Sequence, residues 1–421
     1  MGKKELIVKK SRAEQLLEIL NANQDNDIHI ASKSTDNWRY IDFVNPVLNT
    51  PCLALEYLFG SRGAVLGRLM KLEAPFGVGK SSFMFYMYGC AQRCCNAFTY
   101  HMETEAAEPP PDFIASFGAD PTDLMVELPK SVERCLERID TFICSVRGGF
   151  GGTIGETGKA SKTKFVNALD KDKQAPIVIG IDSISGLGLN DTVDLDVMDA
   201  TKTAAIGKHA RILSKFFQER TTRLKDTDTL LMMAAQVKAK ISTGYTPPGQ
   251  KTTATIADTA IGYHATWVLE MSSSKYDDDV EGSPTFGKNI GEKITIKTTK
   301  NKVSDKAKQI TLYLVRNKGF DLVKTDAKFL ISDDGSPFTG ADDMPKRYGG
   351  GVIFKPLSEK RFESEAEFLK ALYADTGMVL ALREKMRIRG FGFPFETDYL
   401  KKIEQAEEVT NVVEGSTTAV P

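Results

Sequence analysis

The run Ala74-Pro75-Phe76-Gly77-Val78-Gly79-Lys80-Ser81-Ser82 carries the residue types that grip a polyphosphate. In a glycine-rich turn at a helix N-terminus, backbone N–H groups point at the anion. A lysine at the place of Lys80 reaches the β- and γ-phosphates, and a hydroxyl at the place of Ser81 ligates Mg²⁺. A bare Gly-Lys followed by Ser or Thr arises by chance in about one chain in five of this length, so the context decides. A strand-like run, GRLMKL (67–72), precedes the turn and a helical stretch follows it. A second signal is PIVIGIDS, which sets Asp182 at the carboxyl end of an apolar strand, before Ser183. A carboxylate there holds the water shell of Mg²⁺ beside a phosphate loop. For Asp182 alone, capping of the next helix is the competing reading. Both motifs in this order, about a hundred residues apart, predict a Mg²⁺–nucleoside triphosphate site. AFTYHMETEA adds Glu103 and Glu105 at a third strand end. A carboxylate there polarises the water that attacks a γ-phosphate, although by itself a Glu-Thr-Glu is an ordinary solvated turn.

Those groups need a frame. The strand-like runs are GRLMKL, AFTYHM (97–102), DLMVEL (123–128), PIVIGI (176–181) and TLLMMAAQ (229–236). Helical stretches separate the first four, and another precedes the last. The alternation predicts an α/β fold: a mostly parallel central sheet with helices on both faces. ATWVLEM (265–271), EKITIKTTK (292–300) and QITLYLV (309–315) follow without a long helix between them, which predicts an antiparallel extension. The expected organisation is an N-terminal helical oligomerisation segment over 1–42, containing AEQLLEIL (13–20), and a core over 43–330. An α+β C-terminal domain over 331–400 contains the amphipathic FESEAEFLKALY (362–373), and a mobile tail spans 401–421. RGGFGGTIGETGKASKTKF (147–165) is aperiodic and rich in Gly, Ser, Thr and Lys, and reads as an inserted surface loop.

Composition narrows the class. The 421 residues are 41% hydrophobic and 26% charged, which excludes a largely disordered chain, a collagen or a disulfide scaffold. Lys+Arg 55 against Asp+Glu 56 gives a net charge of −1, so any hold on nucleic acid must come from locally placed cations. No apolar run reaches the roughly 18 residues of a spanning helix. The basic start, MGKKELIVKK, lacks the apolar stretch of a signal peptide, and Leu6 stands where a myristoylation signal has Ser or Thr. Six cysteines form no CxxC pair and read as reduced, small apolar residues. A cytoplasmic location, or its equivalent, is expected.

On these motifs the chain resembles the RecA family of homologous-recombination ATPases, including its phage UvsX-like members, over about residues 43–325. LNTPCLALEYLFGSRGAVLGRLMKLEAPFGVGKSS resembles the family's approach to its phosphate loop. ETEAA with FGADPTDLMV resembles its catalytic-glutamate strand, and GIDSISGL its Mg²⁺-binding strand. LLMMAAQVKAKIS and TTKNKVSDKAKQITLYLVRNKGFD resemble two later segments. The resemblance implies a RecA-type P-loop NTPase core with ATP and Mg²⁺ as cofactors. It implies that Ala74–Ser82 and Asp182 bind nucleotide, that Ser81 and Asp182 hold the metal, and that Glu105 is the general base. Gln236 becomes the γ-phosphate sensor, and Lys300 and Lys302 become cations reaching the ATP of the neighbouring subunit. Without that context both lysines read as solvated residues on an edge strand. The first DNA loop is implied near 190–211, with Ile206-Gly207 as an apolar wedge and Arg211 on a phosphate. The second opens at Gln236 and offers Lys238, Lys240, Ile241 and Tyr245. Taken alone, Ile206 and Ile241 read as core residues. Lys346-Arg347 and REKMRIRG (383–390) read as a duplex-DNA patch or, equally, a solvated face.

The implied function is an ATP-dependent recombinase. It forms helical homo-oligomeric filaments on single-stranded DNA and pairs that strand with homologous duplex, aided by single-strand-binding and loading proteins. The alternatives are a hexameric helicase motor or an ATP-binding recombination mediator with little turnover. Ala74 in place of the usual first loop glycine, Phe76 where many relatives are acidic, and the 147–165 insertion point to a divergent, phage-encoded member.

Overall fold

The computed structural model describes residues 47–61, 63–105, 108–147, 165–166, 174–189, 205–239, 253–254, 258–278, 284–304, 308–331, 346–348, 351–353 and 361–374. The expected N-terminal segment, the body of the 147–165 insertion and the C-terminal tail lie outside the described residues.

The chain runs β1 (Val47–Asn49), α1 (Leu53–Phe59), β2 (Gly63–Val65), β3 (Leu69–Ala74), α2 (Lys80–Cys95), β4 (Phe98–Glu103), α3 (Pro111–Ser116), β5 (Leu124–Glu127), α4 (Val132–Arg147) and β6 (Ile177–Asp182). It continues through α5 (Ala205–Asp226), β7 (Thr229–Gln236), β8 (Lys238–Ala239), β9 (Thr253–Ala254), α6 (Asp258–His264), β10 (Trp267–Asp277), β11 (Asn289–Asn301), β12 (Gln309–Val315), β13 (Gly319–Phe320) and α7 (Leu322–Leu330). β14 (Lys346–Tyr348), β15 (Gly351–Ile353), β16 (Arg361–Phe362) and α8 (Glu365–Ala374) follow.

A nine-stranded sheet in the order β13-β12-β11-β10-β3-β7-β6-β4-β5 forms the centre. From β10 to β5 every neighbouring pair is parallel. From β10 to β13 every pair is antiparallel. The α/β reading and its antiparallel extension therefore hold. β3 and β6 are buried along their whole length, as strands covered on both faces must be. One face packs Ile177, Ile179, Ile181, Leu231 and Met233 against Ile139 and Ile143 of α4 and Leu213 and Phe217 of α5. The other face receives α2. There Gly180 alternates with Ile179 and Ile181, and a Cβ on it would lie 2.0 Å from the Tyr88 hydroxyl. A side chain at 180 would thus push away the helix that starts at Lys80.

Two expectations change. β10 continues to Asp277, beyond the expected end at Met271. Ser272–Lys275 show no apolar alternation, and cross-strand pairing with Thr295 through Glu292 carries them instead. β11 lies between β10 and β12, so Lys300 is not on an edge strand. Past α7, β14, β15 and β16 form a separate antiparallel sheet. Lys328 and Glu365 pair at 2.5 Å between α7 and α8. Among the described residues, no helix is long and apolar enough to cross a membrane.

Phe217 is fully buried, with its ring 5.8 Å from that of His264 on α6. Phe217→Ala removes the contact and leaves a cavity, with an expected cost of about 3–5 kcal/mol. Urea unfolding should show a lower midpoint at an unchanged slope.

Candidate nucleotide site

β3 ends at Ala74, the turn Pro75–Gly79 follows, and α2 begins at Lys80. The turn reverses tightly through Gly77 at φ +74° and Gly79 at φ +96°, a region costly for residues with a Cβ. A Cβ on Gly79 would also lie 2.5 Å from Ile294 Cδ1 of β11. No side chain caps α2 at Gly79, so its first-turn N–H groups are available to an anion. The Lys80 ammonium folds back over the turn and donates to the Pro75 carbonyl at 2.9 Å and the Ala74 carbonyl at 3.4 Å. Burial lowers its pKa, and Asp182 and Glu105 act in the opposite direction.

Tertiary packing brings Asp182 beside Ser81, 101 residues earlier, and the Ser81 hydroxyl donates to the Asp182 carboxylate. Burial pushes the Asp182 carboxyl above its ordinary range. The Ser81 hydrogen bond, His101 and Lys80 oppose that shift, and Glu103 adds to it. A hydroxyl and a carboxylate side by side suit Mg²⁺, which takes few protein oxygens and completes its shell with water and phosphate. Among the described residues, no cluster of three His, Cys, Asp or Glu forms a protein-only metal cage.

The parallel register sets Glu103 opposite Asp182 and Ala74 opposite Gln236. Beyond the strand ends the chains stay tied. Ser183 N–H donates to Thr104 Oγ1 at 2.8 Å, and Thr104 N–H donates to the Asp182 carbonyl at 2.9 Å. Gln236 N–H donates to Ser185 Oγ at 2.9 Å, and its side-chain Nε2 donates to Glu105 Oε1 at 3.0 Å. Lys80, Ser81, Glu105, Asp182 and Gln236 therefore gather at the carboxyl ends of four adjacent strands, where open α/β sheets bind ligands. Such a set can hold a metal–polyphosphate and present a carboxylate to a water.

Lys300 and Lys302 are held elsewhere. Lys300 Nζ donates to the carbonyls of Gly262 at 2.7 Å and Tyr263 at 2.8 Å, and Lys302 Nζ reaches the latter at 3.5 Å. They cap the last turn of α6, where cations oppose the helix dipole. Lys300 is thus half-buried and hydrogen-bonded within an internal strand, while Lys302, just past the end of β11, stays exposed. His264 on the same turn is lowered in pKa by burial and then by Lys302 and Lys300. Between the lysines, buried Asn301 donates through Nδ2 to the Leu58 and Phe59 carbonyls, at 3.2 and 3.3 Å. Its Oδ1 accepts from the Val303 and Ser304 N–H groups. Sequence reasoning missed Asn301, whose only signal is a polar side chain between two lysines at a strand end.

Of the residues expected at DNA, Arg211 is exposed on α5. Ile206 and Gly207 fall in the first turn of α5, and Lys238 pairs with Ala254 across β8 and β9. Lys240, Ile241 and Tyr245 lie outside the described residues.

The sheet and its site define an α/β protein with a RecA-type core. A family model described as the RecA N-terminal domain matches residues 160–321, a span that contains Asp182, Gln236, Lys300 and Lys302. Protein RecA of Deinococcus radiodurans is 25% identical over 277 residues, covering 65% of this chain and 64% of that protein. Protein RecA of Pseudomonas fluorescens is 24% identical over 280 residues, or 66% of each. The chain thus spans no more than about two thirds of the length of these curated relatives. It is similar to proteins of the RecA family at about a quarter identity, and the family model falls on the second half of its core.

Asp182 supplies a test. Its raised carboxyl pKa means that the native state holds that proton more tightly than the unfolded chain does. Its contribution is then most favourable below the ordinary carboxyl pKa of about 4, and is lost as pH rises through the folded value. Asp182→Asn should melt higher than the wild type at pH 7, and the gap should shrink on acidification. Thermal melts across pH 4–7 check the sign.

Proposed function

We propose that the protein is an ATP-dependent DNA recombinase. It assembles on single-stranded DNA as a helical filament with ATP and Mg²⁺ at the junction between subunits, then pairs the bound strand with homologous duplex. Hydrolysis releases the DNA. The observation that carries this reading is the hydrogen bond from Gln236 to Glu105 above the Lys80 loop. It links the carboxylate suited to act as base with the residue that leads into β8 and the segment proposed to meet DNA.

In this reading the turn N–H groups and Lys80 neutralise phosphate charge. The Ser81 hydroxyl and the Asp182 carboxylate hold Mg²⁺, which supplies further charge stabilisation on the phosphates when bound. Glu105 accepts the proton of the water whose oxygen attacks the γ-phosphorus as the bond to the β–γ bridging oxygen breaks. Gln236 can bond either Glu105 or a γ-phosphate oxygen, so its amide reports nucleotide state. Lys300 and Lys302 act across the junction. Two exposed aromatics support a second copy closing over the site: Phe76 in the phosphate turn, 80% exposed, and Tyr263 beside both lysines, 74% exposed. Arg211, Lys238, Lys240, Ile206, Gly207, Ile241 and Tyr245 are the proposed DNA contacts, cations on phosphates with apolar groups between bases. The low net charge fits, because a filament repeats a few cations along its axis. The proposed setting is the cytoplasm of a bacterial or phage-infected cell.

The direct test mixes labelled single strand, homologous supercoiled duplex, ATP and Mg²⁺ with the protein. Homology-dependent joint molecules are expected, and Lys80→Ala should form none and hydrolyse no ATP. DNA-stimulated ATPase without joint molecules would instead indicate a motor. Lys300→Ala should lose most ATPase alone, since a cation supplied across an interface is worth roughly 10³–10⁵ in rate in other NTPases. Mixed with Lys80→Ala protein it should recover part of that activity. No recovery would remove the claim that Lys300 acts on a neighbour's nucleotide.

A further inference from the structure

The two carboxylates at the end of β4 have different surroundings. Glu105 is exposed and accepts from Gln236. Glu103 is buried, and its Oε1 accepts the backbone N–H of Glu105 at 2.8 Å. Behind it lies His101, fully buried, with its ring 5.1 Å from that of Phe85. His101 Nδ1 is 3.2 Å from the Tyr88 hydroxyl. Its Nε2 has no hydrogen-bond partner and sits 3.6 Å from Glu103 Oε2. The Tyr88 hydroxyl is also 3.3 Å from the Tyr100 carbonyl and has a single proton to give. If that proton goes to Nδ1, the neutral ring carries its hydrogen on Nε2. If it goes to Tyr100, Nδ1 must be the donor, and a bare Nε2 would then face the carboxylate unless it too is protonated. Each arrangement that avoids a lone pair against Glu103 puts a hydrogen on Nε2, 3.6 Å from Oε2.

We infer that Glu103, braced by His101, is a positioning residue for Glu105. Its Oε1 fixes the amide of Glu105 while Thr104 ties the same turn to Ser183. The turn is held from both sides, and the Glu105 carboxylate stays within reach of Gln236. This inference rests on the reading of Glu105 as the base. A merely structural buried acid would affect stability and leave turnover alone.

The experiment compares Glu103→Ala, Glu103→Gln and His101→Phe with the wild type, all as full chains. Small displacements of a catalytic group cost one to two orders of magnitude, so Glu103→Ala should lose about tenfold in ATPase kcat at an unchanged KM for ATP. Glu103→Gln retains an acceptor oxygen and should recover most of that rate. His101→Phe keeps the ring packing without the nitrogens and should fall between them, which tests the brace even if Glu103→Ala does not fold. Wild-type kcat in both Glu103→Ala and His101→Phe, or Glu103→Gln as slow as Glu103→Ala, would overturn the inference. In ¹⁵N-glutamate-labelled protein the Glu105 amide signal should move upfield in Glu103→Ala, where the carboxylate acceptor is gone. That readout needs no turnover. A moving signal in a protein that never hydrolyses ATP would sink only the base assignment, whereas an unmoved signal would sink the positioning role.

Discussion

Ladder hydrogen bonds between β3, β7, β6 and β4 align four strand ends, and the candidate nucleotide site depends on that alignment. They set Ala74 opposite Gln236 and Glu103 opposite Asp182. Side chains alternate along a strand, so a slip of one residue would turn Asp182 or Gln236 to the opposite face. Burial enforces the register, since Ile177–Asp182 and Leu69–Ala74 have no accessible face to which a displaced polar group could turn. The helix that completes the site depends on the same sheet, because α2 can approach only where Gly180 leaves room for Tyr88.

That rigid frame holds groups that oppose one another. Glu105 and Asp182 act on Lys80, Glu103 acts on Asp182, and burial raises the pKa of Asp182 while lowering that of Lys80. Neither charge is well solvated, and the first-turn amides of α2 have no side-chain cap. In the proposed function a cation on the carboxylate side and an anion on the amide side would relieve both. β3 itself carries a buried Lys71–Glu73 pair at 2.5 Å beneath the loop. Breaking one partner of such a pair leaves an uncompensated charge and is costly.

A second hinge of the architecture lies at the end of β11. Asn301 pins this strand end to the last carbonyls of α1, and Trp267 Nε1 donates to the Phe59 carbonyl there as well. Lys300 and Lys302, on either side of Asn301, cap α6. The helix that follows β9 is thereby fastened by the two cations proposed to reach a neighbouring nucleotide. In that proposal, nucleotide at the junction and the ordering of α6 compete for the same ammonium groups.

The sequence by itself determined the glycine-rich strand-to-helix turn, the apolar strands and the α/β class. Their signals are local: a glycine-rich turn before Lys80, unbroken apolar runs such as 177–181, and helical spacing between them. It also marked Asp182, which ends such a run, whereas Gln236 was marked only by the resemblance to the RecA family. The tertiary structure decided which of these groups meet. Gln236 bonds a carboxylate 131 residues away, Ser81 one that is 101 residues away, and Lys300 a carbonyl that is 38 residues away. It also separated the two glutamates of Glu103-Thr104-Glu105, burying one as a hydrogen-bond acceptor and exposing the other. Burial and strand order arise only when distant segments pack together, and no local spacing encodes them.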